Sequence, residues 1–151
     1  MESIFKLLKT SRQLCANYFD KYSLEQLNKT PSSFNNNLIW NIGHIVVAQQ
    51  SIIYKGANLP MNISDDLFNL YKSGTKPERE ITQNEANELK TLLFSLPEQT
   101  EKDFAAGKFV SYNERTTGTG FHLASVMDAF EFNNYHEGLH LGCMMSIRKF
   151  V

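Results

Sequence analysis

Two histidines four residues apart, His136 and His140, stand in the run Asn134-Tyr135-His136-Glu137-Gly138-Leu139-His140-Leu141-Gly142-Cys143. A helix turns about 100° per residue, so position i+4 returns to nearly the same face one turn on. On a helix, both imidazoles therefore aim at one spot. The string H-E-x-x-H supplies two ligands and a general-base glutamate in zinc proteases. From these residues alone three readings stand: that protease site, another metal site, or a packed pair of histidines. The protease reading needs a third ligand, usually well downstream. Only 11 residues follow His140, and none is His, Asp or Glu.

A third ligand must then come from upstream. His122 lies 14 residues before His136; on one helix that is about 21 Å along the axis, out of reach. Cys143 falls near the same face as His140, but a single helix cannot wrap three of its own ligands closely around one ion. His44 is the good candidate. It sits midway along an apolar stretch that reads as a helix, and the later pair sits midway along another. If those helices are neighbours, three imidazoles meet inside a bundle, where facing helices build such sites. Three histidines with an open position form the catalytic rather than the structural pattern for zinc. Glu137 is 100° from His136. It is the candidate catalytic residue if it reaches a metal-bound water; its alternatives are to hydrogen-bond a histidine, or to be a partly exposed helical residue or a salt-bridge partner. Asn134 and Tyr135 are near enough to line a pocket, and Trp40 lies one turn before His44 as a pocket wall or core residue.

The elements that must position these residues read as helices. Apolar residues at Ile4, Leu7, Leu8, Leu14, Cys15, Tyr18, Phe19 and Tyr22 mark an amphipathic first helix over 2–22, with Cys15 as a buried small hydrophobe. Ser23-Leu24-Glu25-Gln26 resembles a capping box opening one short turn. A second helix, expected over 34–54, is apolar around much of its circumference; Gly43 beside His44 leaves room for close approach of another helix. Residues 55–81 carry Gly56, Pro60, Gly74 and Pro77, with one helical turn expected at 65–71. So long a connection suits a crossover that lets the second and third helices run parallel. Thr82-Gln83-Asn84-Glu85 is a second capping box. It opens a third helix to about Ala105, which Pro97 should kink or divide. A polar Thr-Gly loop precedes a last helix expected over 122–149. No segment reads as a convincing strand. The expectation is an all-α four-helix bundle with a long crossover between the second and third helices, forming one domain over 1–151.

Composition narrows the function further. The formal net charge is −1, so no basic excess exists to hold a phosphate backbone, and nucleic acid is not an expected partner. No apolar run approaches the roughly 18 residues of a membrane span. The first residues lack a charged start followed by an apolar core, so no signal peptide is expected. Two cysteines are too few for a disulfide framework, which points to a reduced, cytoplasmic setting.

Two blocks, Asn36-Asn37-Leu38-Ile39-Trp40-Asn41-Ile42-Gly43-His44 and His136-Glu137-Gly138-Leu139-His140-Leu141-Gly142, carry a family resemblance. Together they resemble the signature blocks of the DinB-like superfamily of bacterial four-helix metalloproteins. Glu25-Gln26-Leu27-Asn28 and the Thr-Gly loop add weaker likeness, and the order and spacing match over nearly the whole chain. The resemblance implies His44, His136 and His140 as ligands of a divalent metal ion, Zn or Ni. It also implies a small-molecule substrate. Some members are S-transferases or isomerases using low-molecular-weight thiols, others are thought to be hydrolases, and many have no known reaction. Homodimers are common among them. A bound ion would lower the pKa of water towards 7 or hold a thiol as thiolate. A non-catalytic metal- or small-molecule-binding bundle, and a purely structural bundle, remain the alternatives.

Overall fold

The computed structural model describes residues 1–151. Six helices follow one another: α1 Glu2–Lys21, α2 Leu24–Asn28, α3 Leu38–Gln49, α4 Asp65–Tyr71, α5 Gln83–Ala105 and α6 Val126–Ile147. The architecture is all-α, as the apolar periodicity leads one to expect. Four long helices carry it: α1 packs on α5 and α6, and α3 packs on the same two. Cross-links reveal the directions. Lys9 meets Glu101 and Asp20 meets Lys90, so α1 and α5 run oppositely. Asn41 meets His140 and His44 meets His136, so α3 and α6 also run oppositely. Gln49 donates to Thr100 and Tyr54 to Asp103, so the α3 segment and α5 run in the same sense. No helix is long and apolar enough to cross a membrane.

Local chemistry sets the ends of these helices. Ser23 with Gln26, and Thr82 with Glu85, form the two anticipated capping boxes. A third, Ser125 with Asp128, starts α6 at Val126 rather than at His122. His122 instead lies in a two-residue strand. That strand, β2 His122–Leu123, pairs antiparallel with β1 Arg115–Thr116. Strands this short leave no period for sequence reading to detect. The second helix also starts later than expected, because the Asn37 side chain accepts from the Trp40 N–H and caps α3 there. It does not stay α-helical to Tyr54. A π turn, Gln50–Tyr54, and a 3₁₀ turn, Lys55–Ala57, follow Gln49. Buried Gln50 accepts from the backbone N–H of Asn62, and the Tyr112 hydroxyl donates to the Ile52 carbonyl at 3.0 Å. Pro97 does not divide α5, which runs through it.

The bundle interior has two apolar parts. One gathers Cys15, Ile42, Ile45, Leu93 and Met144; the other gathers Phe5, Leu8, Ile53 and Phe130. Between them lies a polar layer, with one contribution from each long helix. Arg12 falls between Leu8 and Cys15 on α1, and Glu137 between Phe130 and Met144 on α6. Gln49 and Thr100 complete the layer from α3 and α5, and all four are essentially inaccessible.

Candidate metal centre

Every residue of α3 is buried, which carries His44 into the interior at 7% exposure. Antiparallel α6 brings His136 and His140 opposite it. One ring nitrogen from each of the three histidines lies within 4.8 Å of those of the other two. Nε2 of His44 is 3.3 Å from Nε2 of His136. Ligand nitrogens about 2.0–2.1 Å from a tetrahedral zinc stand roughly 3.3–3.4 Å apart, so this spacing fits such an ion.

Two of the rings are held by their far nitrogens. His44 Nδ1 lies 2.7 Å from the Tyr71 carbonyl oxygen. A carbonyl only accepts, so Nδ1 carries the proton and Nε2 keeps its lone pair. His140 Nδ1 lies 2.8 Å from Asn41 Oδ1, with the same consequence. Asn41 is itself fixed, since its Nδ2 donates to the Asn37 carbonyl and to Asn36 Oδ1. Asn37 Nδ2 donates to the Asn28 carbonyl, and Asn28 pairs through its side chain with both backbone groups of Ile81. A relay of amides thus runs from the crossover to His140. Such outer partners fix ring orientation and tautomer in metal sites. His136 differs, since its Nδ1 is buried with no hydrogen-bond partner.

Burial holds all three imidazoles below their ordinary titration range. His136 drops to about 4, through desolvation and then the neighbouring His44. His140 drops to about 3 by the same causes, with His136 adding to them. His44 is also lowered by burial, partly offset by its bond to Tyr71. At neutral pH the rings are uncharged, the form in which imidazole binds metal.

Aromatic and small residues shape the surroundings. Trp40 stacks on His44 with centroids 4.9 Å apart, and its Nε1 donates to Thr75 Oγ1. Gly43 admits the ring of Tyr71: a Cβ there would sit 2.4 Å from it. The expected close approach is therefore made by the crossover helix α4, whose last residue also holds His44. A cleft of about 440 Å³ opens onto His44 and His136, walled by Val47, Ile52, Phe68 and Phe132. The π turn contributes Ser51 and Ile52 to it; such turns recur at functional sites.

The remaining sequence candidates lie elsewhere. Glu137 is not a partly exposed helical residue; it is fully buried, and of its readings the structure matches the salt-bridge partner. Its carboxylate takes a bidentate pair from Arg12, 2.7 Å to Nη2 and 2.9 Å to Nε, and a third bond from Asn133 Nδ2. Both oxygens are committed to Arg12 and Asn133, and Glu137 is outside the metal-competent group. Cys143 is outside it as well. Tyr135 is half-exposed against Phe121, and Asn134 donates to the Ile4 carbonyl. His122 is at the surface beside Glu114. Burial pushes the Cys15 thiol up to about 12, and Glu137 adds to the shift.

Arg12, Asn41 and Tyr71 escaped the sequence reading. Arg12 had a visible signal: it occupies the 8–12–15 stripe of α1, where an apolar residue belongs. Asn41 stands in the block that ends at His44, but nothing in its spacing marks it as a partner of His140. The Tyr71 contribution is a backbone carbonyl, which no side-chain pattern reveals. Among known proteins, the family model of the DinB superfamily matches residues 7–144 of this chain. No curated protein matches it.

Proposed function

The chain belongs to the DinB superfamily, and from that premise we propose that it is a metal-dependent enzyme acting on a small molecule at His44, His136 and His140. The observation that carries this reading is the convergence of three neutral imidazoles, two of them locked by Tyr71 and Asn41 with Nε2 free. Zn and Ni both suit an all-imidazole donor set. A bound divalent ion supplies Lewis acidity and draws the pKa of a coordinated thiol or water towards neutrality. The chain supplies the rest. Trp40 and Phe132 flank the histidines, and the cleft admits substrate beside His44 and His136.

Transfer to a low-molecular-weight thiol fits better than hydrolysis. No Asp or Glu lines the cleft, and Glu137 is spent on Arg12, so no carboxylate stands ready as a general base. A thiol ionised at the metal needs none. The same lack supports the second reading, a bundle that binds a metal or small molecule without turnover. Free Cys15 and Cys143 agree with a reduced, cytoplasmic setting. A homodimer through the α1–α6 face agrees with Leu7, Leu14, Tyr135, Leu139 and Met145, which are all substantially exposed there. Light scattering on the wild type and on Leu139→Asp tests that pairing: a dimer that becomes a monomer supports it, and a monomeric wild type rejects it.

Metal content after mild purification tests the centre itself. The expected result is one Zn or Ni per chain in the wild type and none in His44→Ala. Absence of metal in the wild type after both ions are offered would reject the centre, and full occupancy in His44→Ala would reject His44 as a ligand. A panel of electrophiles and thiols then separates enzyme from binder: metal-dependent turnover is expected, and its absence throughout the panel favours the binder.

A further inference from the structure

The cleft beside His44 and His136 has an electrostatic character that the histidines do not explain. The chain as a whole is nearly balanced, with 15 Lys and Arg against 16 Asp and Glu. The cleft is not. Lys72 and Arg115 both line it, and no acidic residue does. Neither cation belongs to any of the molecule's ion pairs, which engage Lys9, Arg12, Arg79, Lys90, Lys108 and His122. Lys72 Nζ donates only to Asn69 Oδ1, a neutral group one turn away.

The placement of these cations is supported by the fold. Lys72 follows directly on α4, whose final residue Tyr71 binds His44 and packs on Gly43. Arg115 stands in β1, paired with β2 immediately before α6. The crossover and the hairpin, with Lys72 and Arg115 standing 43 positions apart, thus each bring one cation to the same opening. Hydroxyls of Ser51, Ser73, Thr116 and Thr117 line the cleft with them, beside the apolar wall of Phe68, Ile52 and Phe132. Cations without a carboxylate partner, Lys72 beside Asn69 and Arg115 beside the Tyr112 hydroxyl, together with hydroxyls and an apolar wall match an amphipathic anion, because a guanidinium and an ammonium both make charge-assisted bonds to carboxylate, sulfonate or phosphonate oxygens.

We propose that the cleft selects a small organic anion, with its apolar body against Phe68, Ile52 and Phe132 and its anionic group between Lys72 and Arg115. The proposal rests on the reading of His44 and His136 as the reacting end of the cleft. Its charge selection, however, comes from residues that touch neither histidine. A cleft of about 440 Å³ holds a ligand of metabolite size.

Calorimetry with benzoate and phenylphosphonate, against benzamide as the neutral counterpart, tests this on the full chain at low salt. Each is titrated into zinc-loaded and chelator-treated protein, and into the Lys72→Gln/Arg115→Gln double variant in both forms. The wild type is expected to bind the anions about tenfold more tightly than benzamide with or without zinc. The variant is expected to lose that preference while keeping its thermal midpoint and metal content. A preference that is absent, that survives in the variant, or that appears only with zinc overturns the proposal, the last because the ion alone would then be holding the anion. Zinc stoichiometry read from the same samples keeps the two readings apart: a chain that takes no zinc yet keeps the cation-dependent preference overturns the metal centre and not the anion cleft.

Discussion

One turn of α6 carries two chemistries on neighbouring faces, 100° apart between His136 and Glu137. His136 and His140 look towards α3, His136 also onto the cleft, both neutral and with coordination capacity left unspent. Glu137, one residue on from His136, looks into the bundle and is fully bonded. Arg12 reaches it from α1 and also donates to the Ile45 carbonyl and Gln49 Oε1 on α3. Gln49 donates in turn to Thr100 on α5. The closed side therefore ties all four long helices together in a layer between the two apolar clusters. The open side is assembled on the frame that results. In H-E-x-x-H proteases the glutamate and histidines share one task. Here the 100° step between neighbouring residues separates them into a site and its support.

The largest expected effect is on the closed side. Glu137→Gln leaves the Arg12 guanidinium buried without its counter-ion, which typically costs about 3–5 kcal/mol of stability. Denaturant unfolding of the metal-free chain should show that loss. Replacing both partners with apolar residues, Arg12→Met with Glu137→Leu, should recover much of it, since a well-packed apolar pair escapes the desolvation cost of an ion pair. Metal stoichiometry of the folded Glu137→Gln protein should remain that of the wild type. If stability holds while metal-dependent turnover disappears, Glu137 is a participant in the chemistry and the division between the two faces is wrong.

A smaller effect is expected where the open side meets the crossover. A Cβ at residue 43 would lie 2.4–2.6 Å from three carbons of the Tyr71 ring. Gly43→Ala improves helix propensity by about 1 kcal/mol, but the ring must move, and overpacking of this kind costs about 1–3 kcal/mol. Displacing Tyr71 also draws its carbonyl from His44 Nδ1. The outcome expected is lower stability together with weaker zinc binding. A variant that is more stable and binds zinc normally would show that α4 yields without disturbing His44.

How much of this was legible in the sequence differs between the two faces. The histidine triad was legible because imidazoles are scarce and their spacing fits a helical face; His44, midway along another helix, was the good upstream candidate if the two helices were neighbours. The helices were legible because their apolar stripes repeat over many turns. The closed side was harder to read, since Arg12 and Glu137 are 125 positions apart and an ion pair between distant helices leaves no local pattern. What did show was a charged residue standing on each apolar stripe. The π turn and the β1–β2 hairpin were invisible for another reason. Each is a few residues long and is held by distant groups, such as Asn62 on Gln50 and Tyr112 on Ile52.

The smallest effect concerns the support that the open side receives from its own surroundings. Asn41 is inaccessible and offers Oδ1 to His140 while its Nδ2 is spent on Asn36 and Asn37. Asn41→Ala removes the group that fixes the His140 tautomer, and losing an outer partner of this kind weakens metal binding about tenfold. His136 provides the internal control, because its Nδ1 has no partner to lose. Competition with a zinc chelator should show the drop for Asn41→Ala. Proton NMR of the zinc-loaded protein should show the Nδ1–H resonance of His140 shifted or lost, with that of His44 kept by the Tyr71 carbonyl. Zinc affinity equal to the wild type would mean that packing alone orients His140. The open face would then depend on the closed one entirely, and the amide relay from Asn28 would serve only to fasten the crossover.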